Sequence, residues 1–367
     1  MGGALRHLTN FLPELSLQDS SREYVVLLRD SLPALELKKN IRFELVSDGQ
    51  ISGWLSRIHG DVIELPKKLE REKFSAIVSL TNFGPIWTSV PHIFFQRNSL
   101  YYCSYYLAKI TGRLKLETLL RRRLAIESMK RADLIVTPSN AMAEMIRETC
   151  PAVRNRFFST LYHGFTTDSM QEPLAEKFRS MLSVDSYKLL YPTHPAPHKG
   201  FDILFNLLAL LKKEGLQCTL FTTIEKKDWP SEVEKYEKQI QKLSLNDSIV
   251  FMGRIPQGQM GELYQACDLM IYPSLCESFG FSMIEAMGYN LPVIAADTPI
   301  NKEICGEAVL YYPSLDSAAG AKAVKMALND EVLNNLKKYG KEKTRSFDWS
   351  WKRYTKNFLN IMENVSL

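Results

Sequence analysis

The sequence predicts an α/β protein built from two doubly wound, Rossmann-like domains in tandem. Short β-branched or aliphatic runs alternate with amphipathic stretches along the whole chain, the signature of parallel βαβ units. The series stops at a polar segment, Thr166–Ser186, and then restarts. A chain of 367 residues is also long enough for two separate cores.

In the first series "YVVLL" (24–28), "AIVSL" (76–80), "HIFF" (92–95) and "LIVTP" (134–138) read as strands. A long helix is expected over 105–130 and another over 139–149, with Ser139 or Asn140 as N-cap. In the second series "YKLLYP" (187–192), "CTLFTT" (218–223), "SIVFMG" (248–253), "DLMIYP" (268–273) and "PVIAA" (292–296) are the strands. Helices are expected near 200–214, 231–243, 258–266 and 280–289, and a last one over 348–363 that can pack on either domain. The predicted organisation is a domain over 1–165, a linker over 166–186, a second domain over 187–346 and a C-terminal helix in 347–367. Doubly wound folds take ligands at the carboxyl ends of their strands, so two such domains facing each other would form one cleft.

Apolar residues make up 45% and charged residues 24%, a globular composition. Six dispersed cysteines without a C-x-x-C pair read as reduced thiols of a cytoplasmic protein. No apolar run has the length of a membrane span, and "MGGALRHLTNFLPEL" lacks the pattern of a secretory leader. The net charge of +5 is localised. Residues 1–175 carry 23 Lys and Arg against 18 Asp and Glu, and the remainder is balanced at 23 each. Lys109, Arg113, Lys115, Arg121, Arg122, Arg123, Lys130 and Arg131 are concentrated in one stretch. That density reads either as a solvated helix face or as attraction to an anionic membrane surface or substrate, which would make the protein peripheral on the inner face of the plasma membrane.

The stretch "YPSLCESFGFSMIEAMGYNLPVIAAD" (272–297) carries the chemistry. Glu277 falls in the turn after a buried strand, and Glu285 lies about one and a half turns into the following helix. The backbone of Ser278, Phe279, Gly280 and Phe281 stands between them, at a helix N-terminus that favours an anion. Carboxylates are natural partners for sugar hydroxyls, and a carboxylate in surroundings as apolar as "FSMIEAMG" is costly without a partner. In "YPTHPAPHKGFDIL" (191–204), Lys199 and Gly200 open a helix, where a lysine is a point charge for a diphosphate.

"ESFGFSMIE" followed by "AMGYNLPVIAAD" resembles the E-x-F-G-x-x-x-x-E motif of the retaining GT-B glycosyltransferases of family 4, and "FMGRIPQGQMGELYQACDLMIYPS" resembles that family's lead-in to it. The resemblance covers most of the second half and extends more faintly into the first. It implies a GT-B fold whose first half binds the acceptor and whose second half binds a nucleoside-diphosphate sugar. Glu285 would hold ribose hydroxyls and Glu277 the hydroxyls of the transferred sugar. Lys199 would take the diphosphate, and the backbone of Phe279, Gly280 and Phe281 would touch sugar and phosphates. Arg254 and Ile255 would lie by the base. Where many members have an Arg six residues before the lysine, this chain has Thr193, so His198, His194 or Arg254 would replace that contact.

Gly2 and Gly3 stand before the first helix, as a G-G near the diphosphate does in the family. The strand that precedes it there has no counterpart in this sequence, which predicts uncovered strand edges unless another element fills the gap. Where the family often places a His, "PHIFFQRN" ends in Gln96-Arg97-Asn98, so Gln96 or Asn98 would take the polar role on the acceptor side. "LYHGF" resembles the H-G or N-G turn that closes the family's first domain, so His163 would be structural there or line the acceptor side. The resemblance implies a retaining hexosyl transfer from a GDP- or UDP-linked sugar to a saccharide or lipid-linked hydroxyl in cell-envelope polysaccharide, lipopolysaccharide or glycolipid assembly. The leaving phosphate would act as base. No D-x-D is present, so no obligatory metal or cofactor is expected, and no nucleic-acid partner. The alternative is a catalytically impaired nucleotide-sugar-binding or scaffold protein on the same fold.

Overall fold

The computed structural model describes residues 3–28, 33–45, 59–165, 170–346 and 348–366. Gly2 lies outside the described residues, and Gly3 opens the first helix. The strands are β1 (Tyr24–Leu28), β2 (Ile41–Leu45), β3 (Ile77–Ser79), β4 (His92–Phe95), β5 (Leu134–Thr137), β6 (Phe158–Thr160), β7 (Tyr187–Tyr191), β8 (Cys218–Thr222), β9 (Ile249–Phe251), β10 (Leu269–Tyr272), β11 (Val293–Ala296) and β12 (Leu310–Tyr312). The α-helices are α1 (Gly3–Gln18), α2 (Leu65–Arg71), α3 (Ser104–Lys109), α4 (Gly112–Arg131), α5 (Asn140–Thr149), α6 (Glu176–Met181), α7 (Phe201–Lys213), α8 (Pro230–Lys242), α9 (Met260–Gln265), α10 (Phe281–Gly288), α11 (Pro299–Cys305), α12 (Ser317–Ala327), α13 (Asp330–Ser346) and α14 (Trp351–Ser366).

The chain divides into two compact units. One comprises Met1–Tyr102, Gly112–Gly164 and Trp349–Leu367; the other comprises Cys103–Thr111 and Phe165–Asp348. In the first unit β3-β4-β5-β6 form a parallel sheet. Alternation along β4 decides what covers each face. Ile93 and Phe95 enter a core with Phe11 and Leu12 of α1 and Tyr354 and Phe358 of α14, whereas Phe94 enters one with Ala125 and Met129 of α4 and Met142 and Ile146 of α5. Ser139 caps α5 as expected, its Oγ accepting the Met142 N–H at 3.2 Å.

Strand β3 stands at an edge of this sheet, and β1 and β2 form a separate parallel pair. That pair shares the α1–α14 core through Tyr24, Val26 and Ile41, alongside Val78 and Leu80. The region is therefore covered by side-chain packing and not by a continuous hydrogen-bonded ladder.

The helix expected over 105–130 is two helices. Ile110 is extended (φ −86°, ψ 147°) and Gly112 has φ +57°, so the chain turns between α3 and α4. The break has a consequence for packing, because α3 belongs to the second unit and α4 to the first. The expected linker is likewise structured where it is described. Glu172 N–H donates to the Gly258 carbonyl at 2.9 Å, Leu174 N–H to Glu262 Oε2 at 2.7 Å, and α6 follows.

The second unit is a six-stranded parallel sheet in the order β12-β11-β10-β7-β8-β9. Its central strands β10 and β11 are buried at every position, which explains their continuous apolar runs. The chain runs outward from β7 through β8 to β9, returns to β10 and runs outward the other way to β12. The strand order therefore reverses between β7 and β10, the place at which doubly wound folds take ligands.

Phe358 is 3% exposed and its ring meets Phe11 at 4.9 Å. Phe358→Ala should lower the first unit's stability by about 3–5 kcal/mol. Exposed Met326, changed to Ala, should move stability by no more than about 0.5 kcal/mol. Urea denaturation of both variants measures the contrast.

Candidate active site

Two loops leave the switch point of the second unit, one after β7 and one after β10. They are joined by Leu275 N–H donating to the His198 carbonyl at 3.0 Å, and the Tyr191 hydroxyl at the end of β7 steadies the first of them by donating to the Lys199 carbonyl at 3.0 Å. Gly200 follows with φ +67°, and a Cβ there would lie 2.4 Å from the Pro273 carbonyl oxygen. Only glycine permits both that conformation and that approach.

The join places Lys199 Nζ 2.7 Å from Glu277 Oε1, with side chains 9% and 16% exposed. Ser274 Oγ donates to the same carboxylate oxygen at 2.5 Å. Burial alone would raise the Glu277 carboxyl. Lys199 above all, with His198 and Ser274, reverses that and holds it at about 2. Burial first and Lys199 second lower the His198 ring to about 3, and the same causes lower His194. Both imidazoles are therefore neutral at physiological pH, and Lys199 supplies the local positive charge.

Three residues were expected to supply the diphosphate contact that Thr193 does not offer. Of these, His194 and His198 lie together, their ring centroids 6.2 Å apart. His198 Nδ1 is buried without a hydrogen-bond partner among the described residues. Arg254 is 69% exposed and pairs with Asp228 at 2.6 Å and Glu225 at 3.2 Å, so its charge is met within its own surroundings. Ile255 beside it is half-buried, and the Thr193 carbonyl accepts from Thr223 Oγ1 at 3.2 Å.

Gly280 has φ +92° and opens α10. Ser278 and Phe281 are half-buried at this turn, and Phe279 is buried with its ring 5.1 Å from that of Phe281. Within the helix Glu285 is 5% exposed. Its Oε2 accepts the Tyr264 hydroxyl at 2.8 Å and its Oε1 accepts Gln257 Nε2 at 3.4 Å. The expectation that a carboxylate in so apolar a helix has partners holds, and those partners come from α9 and the turn before it.

In the first unit the acceptor-side candidates make bonds of their own. Gln96 is fully buried and donates to the Asn98 carbonyl at 3.1 Å and to Asn82 Oδ1 at 3.5 Å. Asn98 Oδ1 accepts the Leu100 N–H at 3.0 Å, capping a short turn. His163 is buried and stacks on Tyr354 at 6.4 Å. Ser274, Gln257 and Tyr264 are site residues that reading the sequence did not single out. All three lie inside quoted segments, but their roles depend on contacts across the fold. Cys103 is a further case: it shares a hydrogen bond with the thiol of Cys276, beside Glu277, which lowers it below the ordinary thiol range.

A parallel sheet with carboxylates and a lysine at its switch point has the architecture of a Rossmann-like unit, with charged groups where such folds take ligands. Residues 175–343 match the family described as glycosyl transferases group 1. It is 25% identical over 199 residues to the O-antigen chain mannosyltransferase RfbU of Salmonella typhimurium, covering 54% of this chain and 52% of that protein. It is 26% identical over 252 residues to a D-inositol 3-phosphate glycosyltransferase of Saccharomonospora viridis, covering 65% and 54%. The chain thus spans about half the length of these curated relatives.

Among solved structures, sucrose-phosphate synthase of Thermosynechococcus elongatus superposes with a TM-score of 0.75 at 17% identity, over 99% of this chain and 93% of that one. HepE of Anabaena in complex with UDP and glucose superposes at 0.71 and 17% identity, over 99% and 96%. These likenesses show the fold to be GT-B, as expected from the motifs.

The depressed Glu277 carboxyl has a pH signature. A group held at about 2 in the native state, against an ordinary 4.5, stabilises the fold above pH 4.5 and loses that contribution as pH falls toward 2. Glu277→Gln should abolish a loss of order 2–3 kcal/mol across this window. Acid-titrated denaturation of wild type and variant measures it.

Proposed function

We propose that this protein is a retaining glycosyltransferase that moves a hexose from a nucleoside-diphosphate sugar to a hydroxyl acceptor. The reading rests on the Lys199–Glu277 pair, a buried cation 2.7 Å from a buried carboxylate at the switch point of the sheet. A diphosphate is anionic and a sugar presents hydroxyls, so one ligand carrying both satisfies both members of the pair. As the bond from sugar to phosphate breaks, charge develops on the departing oxygen. Lys199 and the dipole at the start of α10 are arranged to stabilise it. Glu277 accepts hydrogen bonds from sugar hydroxyls and so orients the reacting carbon. The unpartnered His198 Nδ1 offers a further polar contact, and Glu285 holds the ribose. Attack from the face that the phosphate leaves retains configuration and lets that phosphate take the acceptor proton.

The names of relatives favour mannose, and therefore a GDP-linked donor, since RfbU is an O-antigen chain mannosyltransferase. HepE in complex with UDP and glucose supports a UDP-linked donor instead. The acceptor in this reading is a saccharide or lipid-linked hydroxyl of a cell-envelope polymer.

A thermal-shift and hydrolysis screen against GDP-, UDP-, ADP- and dTDP-sugars tests the reading. One nucleotide should stabilise the wild type and fail to stabilise Glu285→Ala. Stabilisation by none of them would favour the alternative of a scaffold protein on this fold. With the matching donor, Lys199→Ala should lower kcat by roughly 10²–10³-fold with a smaller change in KM. Equal kcat in variant and wild type would remove Lys199 from the reaction.

A further inference from the structure

Arg97 follows β4, which lies between β3 and β5, at the carboxyl end where parallel sheets take their ligands. Alternation puts its side chain on the face of Ile93 and Phe95, and the guanidinium lies 5.0 Å from the Phe95 ring. The loop after β3 fixes its backbone. Asn82, at φ +65°, accepts the Arg97 N–H at 2.6 Å and the Asn98 N–H at 2.9 Å on one Oδ1. Nη2 fixes the side chain by donating to His7 Nε2 and to the Tyr354 hydroxyl, each at 3.0 Å. All of these residues belong to the first unit. A guanidinium held at both ends is aimed before any ligand arrives.

The group this arrangement lacks is an anion. Arg97 has no acidic partner among the described residues, and both partners of Nη2 are neutral. Burial first, then Arg97 and His163, lower the His7 ring, and burial raises the Tyr354 hydroxyl. Nε and Nη1 make no hydrogen bond among the described residues, and the residue is half-buried and not sealed from solvent. Holding His7 and Tyr354 together requires only N–H donors, and a neutral amide supplies those without taking a charge partly out of water. The charge itself is therefore idle in the fold. Its neighbours in the turn are not: Gln96 donates to the Asn98 carbonyl, and Asn98 Oδ1 accepts the Leu100 N–H. Nε and Nη1 form the fork that grips two oxygens of a phosphate or carboxylate. A phosphate group, with the larger charge, gains more from a cation that no carboxylate shares.

We propose that Arg97 is an oxyanion subsite of the first unit, and that it receives a phosphate group carried by the acceptor through Nε and Nη1. The subsite stands on the first unit alone, whereas its assignment to the acceptor rests on the proposed sugar transfer. The acceptor in this reading is a phosphorylated saccharide, since a neutral one would leave the guanidinium unmet.

The test is calorimetric titration of the whole chain with inorganic phosphate, in the absence of nucleotide sugar, and separately with GDP and UDP. Arg97→Gln should weaken phosphate binding roughly 10–100-fold. Arg97→Lys keeps the charge without the fork and should fall between the two. Lys199→Ala should bind phosphate as the wild type does, because Lys199 is already paired with Glu277. Glutamine still offers an N–H to His7 and Tyr354, so Arg97→Gln should unfold no earlier than the wild type when phosphate is absent. Equal phosphate affinity in wild type and Arg97→Gln would overturn the proposal, as would a loss in Lys199→Ala instead. The nucleotides separate an acceptor's phosphate from the donor's: weaker GDP or UDP binding by Arg97→Gln would overturn the assignment to the acceptor. Failure of every nucleotide to bind, with phosphate affinity still dependent on Arg97, would strike the proposed function and uphold the subsite.

Discussion

The ion pair between Lys199 and Glu277 is the constraint around which the second unit's loops are organised. Removing two charges from water is costly, and the attraction between them offsets that cost only with close geometry and further hydrogen bonds. Both conditions are met: the separation is 2.7 Å, and Ser274 donates to the carboxylate as well. The geometry in turn depends on the backbone. Gly200 brings the helix start against Pro273, the bond from Leu275 fixes the lysine loop to the loop after β10, and the bond from Tyr191 fixes it to β7. A close pair at the switch point is also poised chemically, because an arriving anion and its hydroxyls can replace what each partner gives the other.

Glu285 is handled differently. It accepts hydroxyl and amide donors from Tyr264 and Gln257. A carboxylate that accepts one bond on each oxygen retains lone pairs for further hydrogen bonds. The two glutamates on one short segment therefore have different partners, Lys199 and Ser274 for Glu277, and Tyr264 and Gln257 for Glu285. Gly280 separates them by turning the chain through a left-handed conformation before α10 begins.

The first unit is held at the end of β4 by a different kind of contact. Arg97 Nη2 donates to His7 Nε2 and to the Tyr354 hydroxyl, each at 3.0 Å, joining α1, β4 and α14. Because a guanidinium only donates, His7 Nε2 must accept, and the imidazole is neutral. Burial first, then Arg97 and His163, lower the His7 ring well below its usual range. The C-terminal helix is thus tied to the first helix by polar as well as aromatic contacts, and the core beneath them closes over strand edges that the sequence left unaccounted for.

Much of this protein was legible from local pattern. Continuous apolar runs marked β4, β7, β8, β10 and β11, and helical periodicity marked α5, α7 and α10, because burial on two faces or one stripe writes itself into adjacent residues. Glu277, Glu285 and Lys199 stood out for the same reason: charged groups at loop and helix starts beside apolar runs. Of the three-residue strands β3, β6, β9 and β12, β3 and β9 lie in apolar runs that could be read, whereas β6 and β12, like the largely exposed β2, are decided by pairing with neighbours and were not legible. The division of 105–130 at Ile110 to Gly112 was likewise invisible, since helical periodicity continues on both sides and only tertiary packing assigns α3 and α4 to different units. The sequence by itself determined the parallel α/β class and the three charged residues of the site. Only the tertiary structure decided that Lys199 and Glu277, 78 residues apart, form one pair, because contacts between distant segments leave no trace in the spacing of either.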